Sequence, residues 1–104
     1  MSKETSFVCK LDAISAAQRA RHSELAARLA DAVSERRELA DGYALRVAAE
    51  KIDLAAAAEW ITLERRCCPF LRFQLEAEPD DGPVWLRLTG ATGVKEFLRS
   101  ELSR

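Results

Sequence analysis

We expect the chain to fold as an α+β two-layer sandwich with an antiparallel sheet, in the order β-α-β-β-α-β-β-α. Two patterns predict this class. In some segments apolar and polar residues alternate, as in strands with one buried face, and in others apolar residues recur at helical spacing. The elements up to the fourth strand match the ferredoxin-like unit, which a last strand and helix extend. The 104 residues suffice for one core, so we predict a single domain over residues 1–104.

The first predicted element is a short strand over residues 6–11, whose apolar side chains fall on one face (Phe7, Cys9 and Leu11). A capping-box pattern follows, with Ser15 at the cap and Gln18 three residues later. Leucines at helical spacing continue from this cap. We therefore predict a helix over residues 16–33.

A hairpin is predicted next, because Asp41-Gly42 lies between two alternating segments. The apolar pattern favours a bulged three-residue turn with Gly42 in the left-handed conformation. In that register Leu39 pairs with Tyr43, and a strict two-residue turn fits the pattern less well.

The second half begins with Asp53, which is a suitable cap for a helix from residue 54. Pro69 ends this helix, because the residue before a proline avoids helical dihedral angles. Two alternating strands follow, over residues 71–77 and 84–89, and Thr92 caps a last helix that ends near residue 102. Trp85 points away from the apolar face of its strand, so it is either covered or exposed at a dimer surface.

The densest chemical segment contains the adjacent thiols Cys67 and Cys68, followed by Pro69. One interpretation is a site for a soft metal or metalloid ion, because thiolates select such ions. Cys9 is the candidate for a third sulfur ligand, and His22 is a possible fourth ligand. Two neighbouring side chains reach one ion only if the backbone turns between them, which the helix end allows.

Two other interpretations stay open. A redox or nucleophilic thiol is disfavoured by the negative end of the helix dipole and by Glu64, although the neighbouring arginines act in the opposite sense. The alternative is that the cysteines are packed as small apolar residues, since free cysteine is among the most buried residue types. For Cys9, which alternates with apolar neighbours, packing in the core is the favoured interpretation.

The C-terminal half resembles a group of small bacterial proteins without an established activity, which we associate with heavy-metal and mercury-type resistance. They carry E-R-x-C-C-P-F, then G-P-x-W-L-x-L-T-G and a G-x-K-x-F-L helix. The resemblance favours the metal interpretation and implies no catalytic residues. Ala91-Thr92 departs from the Pro-Glu of that pattern. The matching residues are Glu64, Arg65, Cys67, Cys68, Pro69, Phe70, Gly82, Pro83, Trp85, Leu86, Leu88, Thr89, Gly90, Gly93, Lys95, Phe97 and Leu98.

Composition narrows the classes of protein. The chain has 16 Lys and Arg and 17 Asp and Glu, so its formal net charge is -1. The lack of a basic excess argues against a nucleic-acid partner. The apolar runs are too short for a membrane span, and the absence of a signal-peptide pattern together with three cysteines favours a cytoplasmic location. We therefore expect a non-enzymatic cytoplasmic protein that binds Hg, As, Zn or Cu through Cys67, Cys68 and Cys9. The alternative is a protein-interaction or homodimerisation module with packed cysteines and no ligand.

Overall fold

The computed structural model describes residues 9–102 and has the predicted α+β class, with an antiparallel sheet packed against helices. A short 3₁₀ turn over Leu11–Ala13 precedes the main elements. The sheet order is β1-β2-β4-β3, and each neighbouring pair is antiparallel. The elements are α1 (Ala16–Ala32), β1 (Val33–Leu39), β2 (Gly42–Val47), α2 (Leu54–Cys67), β3 (Arg72–Ala77), β4 (Val84–Thr89) and α3 (Val94–Leu102).

Two of the three predicted helix caps, Ser15 and Asp53, are confirmed. The Ser15 hydroxyl accepts a hydrogen bond from the Gln18 backbone N–H at 3.1 Å, and the Gln18 side chain accepts from the Ser15 N–H at 2.9 Å. Asp53 Oδ1 accepts from the Ala56 N–H at 2.8 Å at the start of α2. These bonds satisfy backbone donors that have no partner inside the helix, which is why both helices begin where the sequence indicates.

The predicted first strand is wrong over the residues that the structure describes. Residues 6–8 lie outside them, Cys9 and Lys10 are irregular, and Leu11 begins the 3₁₀ turn. The reason is a different backbone partner, because the Lys10 N–H donates to the Cys67 carbonyl at the end of α2 at 2.8 Å. The described residues therefore follow the predicted order from α1 onward, but they do not form the ferredoxin-like core.

The hairpin turn is tighter than predicted. Leu39 pairs with Gly42 rather than with Tyr43, so the loop has two residues and the three-residue turn was wrong. In this register Tyr43 and Leu45 of β2 lie opposite Leu88 and Leu86 of β4. These side chains face the helices and are buried, so the apolar face of the sheet is kept without a bulge at the turn.

Trp85 lies on the sheet face opposite the helices, yet only 7% of it is exposed. The Arg37 guanidinium stands 4.6 Å from the centroid of its ring, in the geometry of a cation–π contact. An exposed tryptophan would have supported a dimer surface, whereas the buried Trp85 gives no such support. The homodimer stays a prediction.

Gly42 meets the backbone of β4 too closely to tolerate a side chain. A Cβ at this position would overlap the Leu88 carbonyl oxygen and lie 2.8 Å from Thr89 Cα. We expect Gly42→Ala to lower the free energy of unfolding by about 1–3 kcal/mol or more, because main-chain atoms of a central strand must move. Denaturant unfolding measures this change. Asp41→Ala, on the exposed neighbouring residue, is the control and should change stability by about 0.5 kcal/mol or less. Equal stabilities of the two variants would contradict the expectation.

Candidate metal and thiol site

The side chains of the two adjacent cysteines at the end of α2 have different surroundings. Cys67 is the last helical residue, whereas Cys68 has φ −122° and ψ 71°, outside the helical region, as expected before Pro69. The Cys68 N–H still donates to the Glu64 carbonyl at 2.7 Å. The backbone turn that could have brought two sulfurs together instead separates them.

Cys68 is joined to Cys9 by a disulfide, with the two Cα atoms 4.7 Å apart. The Lys10–Cys67 backbone hydrogen bond runs beside this link and holds the segment around Cys9 against the helix end. The expected grouping of Cys67 with Cys68 is therefore replaced by a Cys9–Cys68 pair. Cys9 is also not the fully packed core thiol that its alternation with apolar residues favoured, because it is half-buried and bonded.

Glu64 completes a compact group of metal-ligating atoms with this pair. The two sulfurs and a Glu64 carboxylate oxygen all lie within 4.8 Å of one another. Glu64 Oε2 is 3.3 Å from Cys68 Sγ. Among the described residues, Cys9, Cys68 and Glu64 thus form a group that could hold a metal ion once the sulfurs are free thiolates.

His22 reaches this group through Glu64. Its Nε2 lies 2.5 Å from Glu64 Oε1, and since a carboxylate only accepts, the imidazole N–H is the donor. Both side chains are mostly buried, with 15% of His22 and 14% of Glu64 exposed. Trp60 stacks beside the imidazole at 6.5 Å between ring centroids. His22, predicted as a fourth ligand, is placed where it orients the Glu64 carboxylate.

Cys67 does not belong to this group. Its side chain is completely buried in the core, and among the described cysteines it is the free thiol. Burial raises the pKa of the Cys67 thiol above its usual range, and the nearby Glu64 carboxylate raises this pKa further. A protonated, inaccessible thiol is a poor nucleophile, which agrees with the sequence argument against a redox role for this residue.

Glu64 is the site residue that the sequence analysis did not assign as a ligand. It lies on the apolar stripe of α2, four residues before Cys68 and on the face that packs against α1. A carboxylate on a buried stripe needs a polar partner, so its position was a signal for a site.

Comparison of the chain with models of protein families, with curated proteins and with solved structures finds no match. The resemblance to proteins of heavy-metal resistance therefore rests on the sequence motif alone. Among the described residues, no helix is long and apolar enough to cross a membrane.

The disulfide is expected to stabilise the fold, because it links residues separated by 59 positions. For a closed loop of this size the chain-entropy model gives about 4 kcal/mol, and measured losses are typically about 2–5 kcal/mol. Reduction of the wild-type protein should lower the free energy of unfolding by an amount in this range, measured by denaturant unfolding with and without a phosphine reductant. The Cys9→Ser variant is the control, since its stability should not respond to the reductant. A wild-type protein that is equally insensitive would contradict the prediction.

The Cys67 thiol should be inert in the folded protein. With the disulfide intact, we expect iodoacetamide to leave Cys67 unmodified at pH 8 and to modify it rapidly after denaturation, because burial blocks access and raises its pKa. Mass spectrometry of the labelled protein measures this difference. Fast native labelling, or a pH profile with its midpoint in the usual thiol range, would contradict the expectation.

Proposed function

We propose that the protein binds one thiophilic metal or metalloid ion through Cys9 and Cys68, with Glu64 as a third ligand, when the disulfide is reduced. The observation that carries this proposal is the convergence of the two sulfurs and a carboxylate oxygen within 4.8 Å. The ions whose chemistry fits two thiolates are Hg(II), As(III), Cu(I) and Zn(II). Cys67, which the sequence placed in the ligand set, has no part in this site.

Only a small rearrangement separates the disulfide from a metal site. Two sulfurs in a disulfide are about 2 Å apart, and two thiolates on one Zn-sized ion lie about 4 Å apart. Cys9 precedes the 3₁₀ turn in an irregular segment, so it can shift more readily than Cys68, which follows directly on α2. The rest of the fold can stay in place while the sulfurs separate.

The surroundings of Glu64 favour an oxygen ligand of fixed orientation. The hydrogen bond from His22 occupies Oε1, which leaves Oε2 on the side of Cys68. Such a partner of a metal ligand holds the ligand in position and tunes its basicity. The site therefore combines two soft sulfur ligands with one positioned carboxylate.

The role that fits this arrangement is sequestration, delivery or sensing of a soft ion. The same two sulfurs cannot be both a disulfide and metal ligands, so ion binding depends on a reducing environment. A cytoplasmic location, where thiols are kept reduced, agrees with this requirement. The motif resemblance to heavy-metal resistance proteins points in the same direction, and no catalytic residue is assigned.

Titration of the reduced protein tests the proposal. With a phosphine reductant present, we expect one Hg(II), As(III), Cu(I) or Zn(II) ion per chain, measured by competition with a chromophoric chelator and by thiolate-to-metal absorption. The oxidised protein should bind none of these ions at Cys9 and Cys68. Mg²⁺ and Ca²⁺ should not compete, because they prefer all-oxygen sites.

The metal affinities of single-residue variants distinguish the ligands from the neighbouring residues. Cys9→Ser and Cys68→Ser should each weaken binding at least about tenfold, as should His22→Gln, because loss of a ligand's partner typically costs about 10–100-fold in affinity. Cys67→Ala is the matched control and should bind like the wild type. The reduced wild-type protein is the reference for folding, since it lacks the disulfide as the serine variants do. A Cys9→Ser, Cys68→Ser double variant that binds as tightly as the wild type would refute the proposal.

A further inference from the structure

A cavity of about 680 Å³ lies beside the disulfide, between the helices and the sheet. Most of its lining is apolar, from α1, α3 and the two central strands. Its polar part is the cluster around the site, where His22, Trp60 and Glu64 line it together with Cys9. A largely apolar cavity with a few polar groups at one place is the usual form of a small-molecule site. The apolar lining includes Ala26, Leu29, Leu45, Leu88, Phe97 and Leu98.

The two sulfurs of the disulfide are not equally accessible from this cavity. Cys9 lines it and is half-buried. Cys68 is completely buried and is not part of the lining. A molecule in the cavity therefore contacts Cys9 and not Cys68. Of the two sulfurs, a thiol that enters is better placed to attack that of Cys9, which would displace Cys68.

The lining also restricts which thiol would enter. Among the described residues that line it, Glu64 is acidic, none is Lys or Arg and most are apolar. An anionic thiol would therefore lose hydration there without meeting a described cation, and is disfavoured. The matching class is a small, uncharged thiol with an apolar body.

We propose that this cavity admits such a thiol to reduce the Cys9–Cys68 disulfide, with the mixed disulfide formed on Cys9. The inference rests on the proposed function in one respect, because the two thiols that it releases are the metal ligands. In the first step the incoming sulfur, having lost its proton to solvent, bonds to Cys9 Sγ. The Cys9–Cys68 bond breaks, and its electron pair goes to Cys68 Sγ, which takes a proton. A second thiol then attacks the incoming sulfur, so that two thiols are oxidised to one disulfide and both cysteines are left reduced.

A matched pair of thiols tests the selectivity. Methyl 3-mercaptopropionate is uncharged, whereas 3-mercaptopropionate is its anionic counterpart. Each rate of reduction of the oxidised protein is divided by the rate of the same thiol with 2-hydroxyethyl disulfide, which removes differences in intrinsic reactivity. We expect the ester to be preferred by roughly tenfold or more, a discrimination that an apolar pocket can supply. Equal normalised rates would overturn the inference.

Variants on α1 locate the effect in the cavity. Ala26 lines the cavity, and Ala27 beside it is exposed and does not. Ala26→Leu should fill part of the space and abolish most of the preference for the ester, while Ala27→Leu should keep it. If both variants keep the preference, or both lose it, the cavity is not the entry site.

Peptide mapping identifies the attacked sulfur. After a short reaction, acid quench and alkylation, trypsin places Cys9 in the peptide of residues 4–10 and Cys68 in that of residues 67–72. We expect the thiol adduct on Cys9 and the alkyl group on Cys68, and an adduct on Cys68 would overturn the inference.

The metal titration is independent of this test, because it uses protein reduced by a phosphine. Ion binding without thiol selectivity would refute only the entry site. Selective adduct formation on Cys9 without ion binding would refute only the metal site.

Discussion

The arrangement of the site depends on Pro69, which ends α2 directly after the two adjacent cysteines. Because a proline bars the preceding residue from the helical conformation, Cys68 leaves the helix while Cys67 remains its last residue. The Cys67 thiol is thereby buried in the core, and the Cys68 sulfur lies next to Cys9 and Glu64. Phe70 then packs edge-on against Phe97 of α3, with 5.1 Å between ring centroids, which anchors the chain directly after the proline.

The packing of α1 on α2 supplies the other half of the site. Polar contacts between the described residues of these helices include the pair of His22 with Glu64 and the bidentate pair of Arg21 with Glu59. The Arg21–Glu59 pair is about two-fifths exposed, so solvent screens it and it contributes little stability. The His22–Glu64 pair is mostly buried, and removal of either partner would leave a polar group without its bond. The buried pair therefore helps to fix the orientation of Glu64 between the two helices.

Local patterns in the sequence predicted the helices, the caps at Ser15 and Asp53 and the paired strands, because each depends on residues close together in the chain. Over its described residues the predicted first strand was wrong, because three alternating residues carry little information and the backbone partner of Lys10 lies at the distant end of α2. The cysteines show the same difficulty, because their partner is also distant in the sequence. Cys67 and Cys68 are neighbours in sequence and look like one site, whereas the pairing of Cys68 with Cys9 depends on tertiary packing. Glu64 was visible as a carboxylate on an apolar stripe, but its partners were not.

Under the proposed function, metal binding and disulfide formation compete for the same pair of sulfurs, so bound metal favours reduction and reduction favours metal binding. An ion at one hundred times its dissociation constant stabilises the reduced form by about 2.7 kcal/mol. For a two-electron couple this corresponds to a change of roughly 60 mV in the reduction potential, toward easier reduction. The coupling is useful only if no third thiol exchanges with the disulfide. Burial and a raised pKa keep Cys67 protonated beside Cys68, which separates the switching pair from the one free thiol of the described chain.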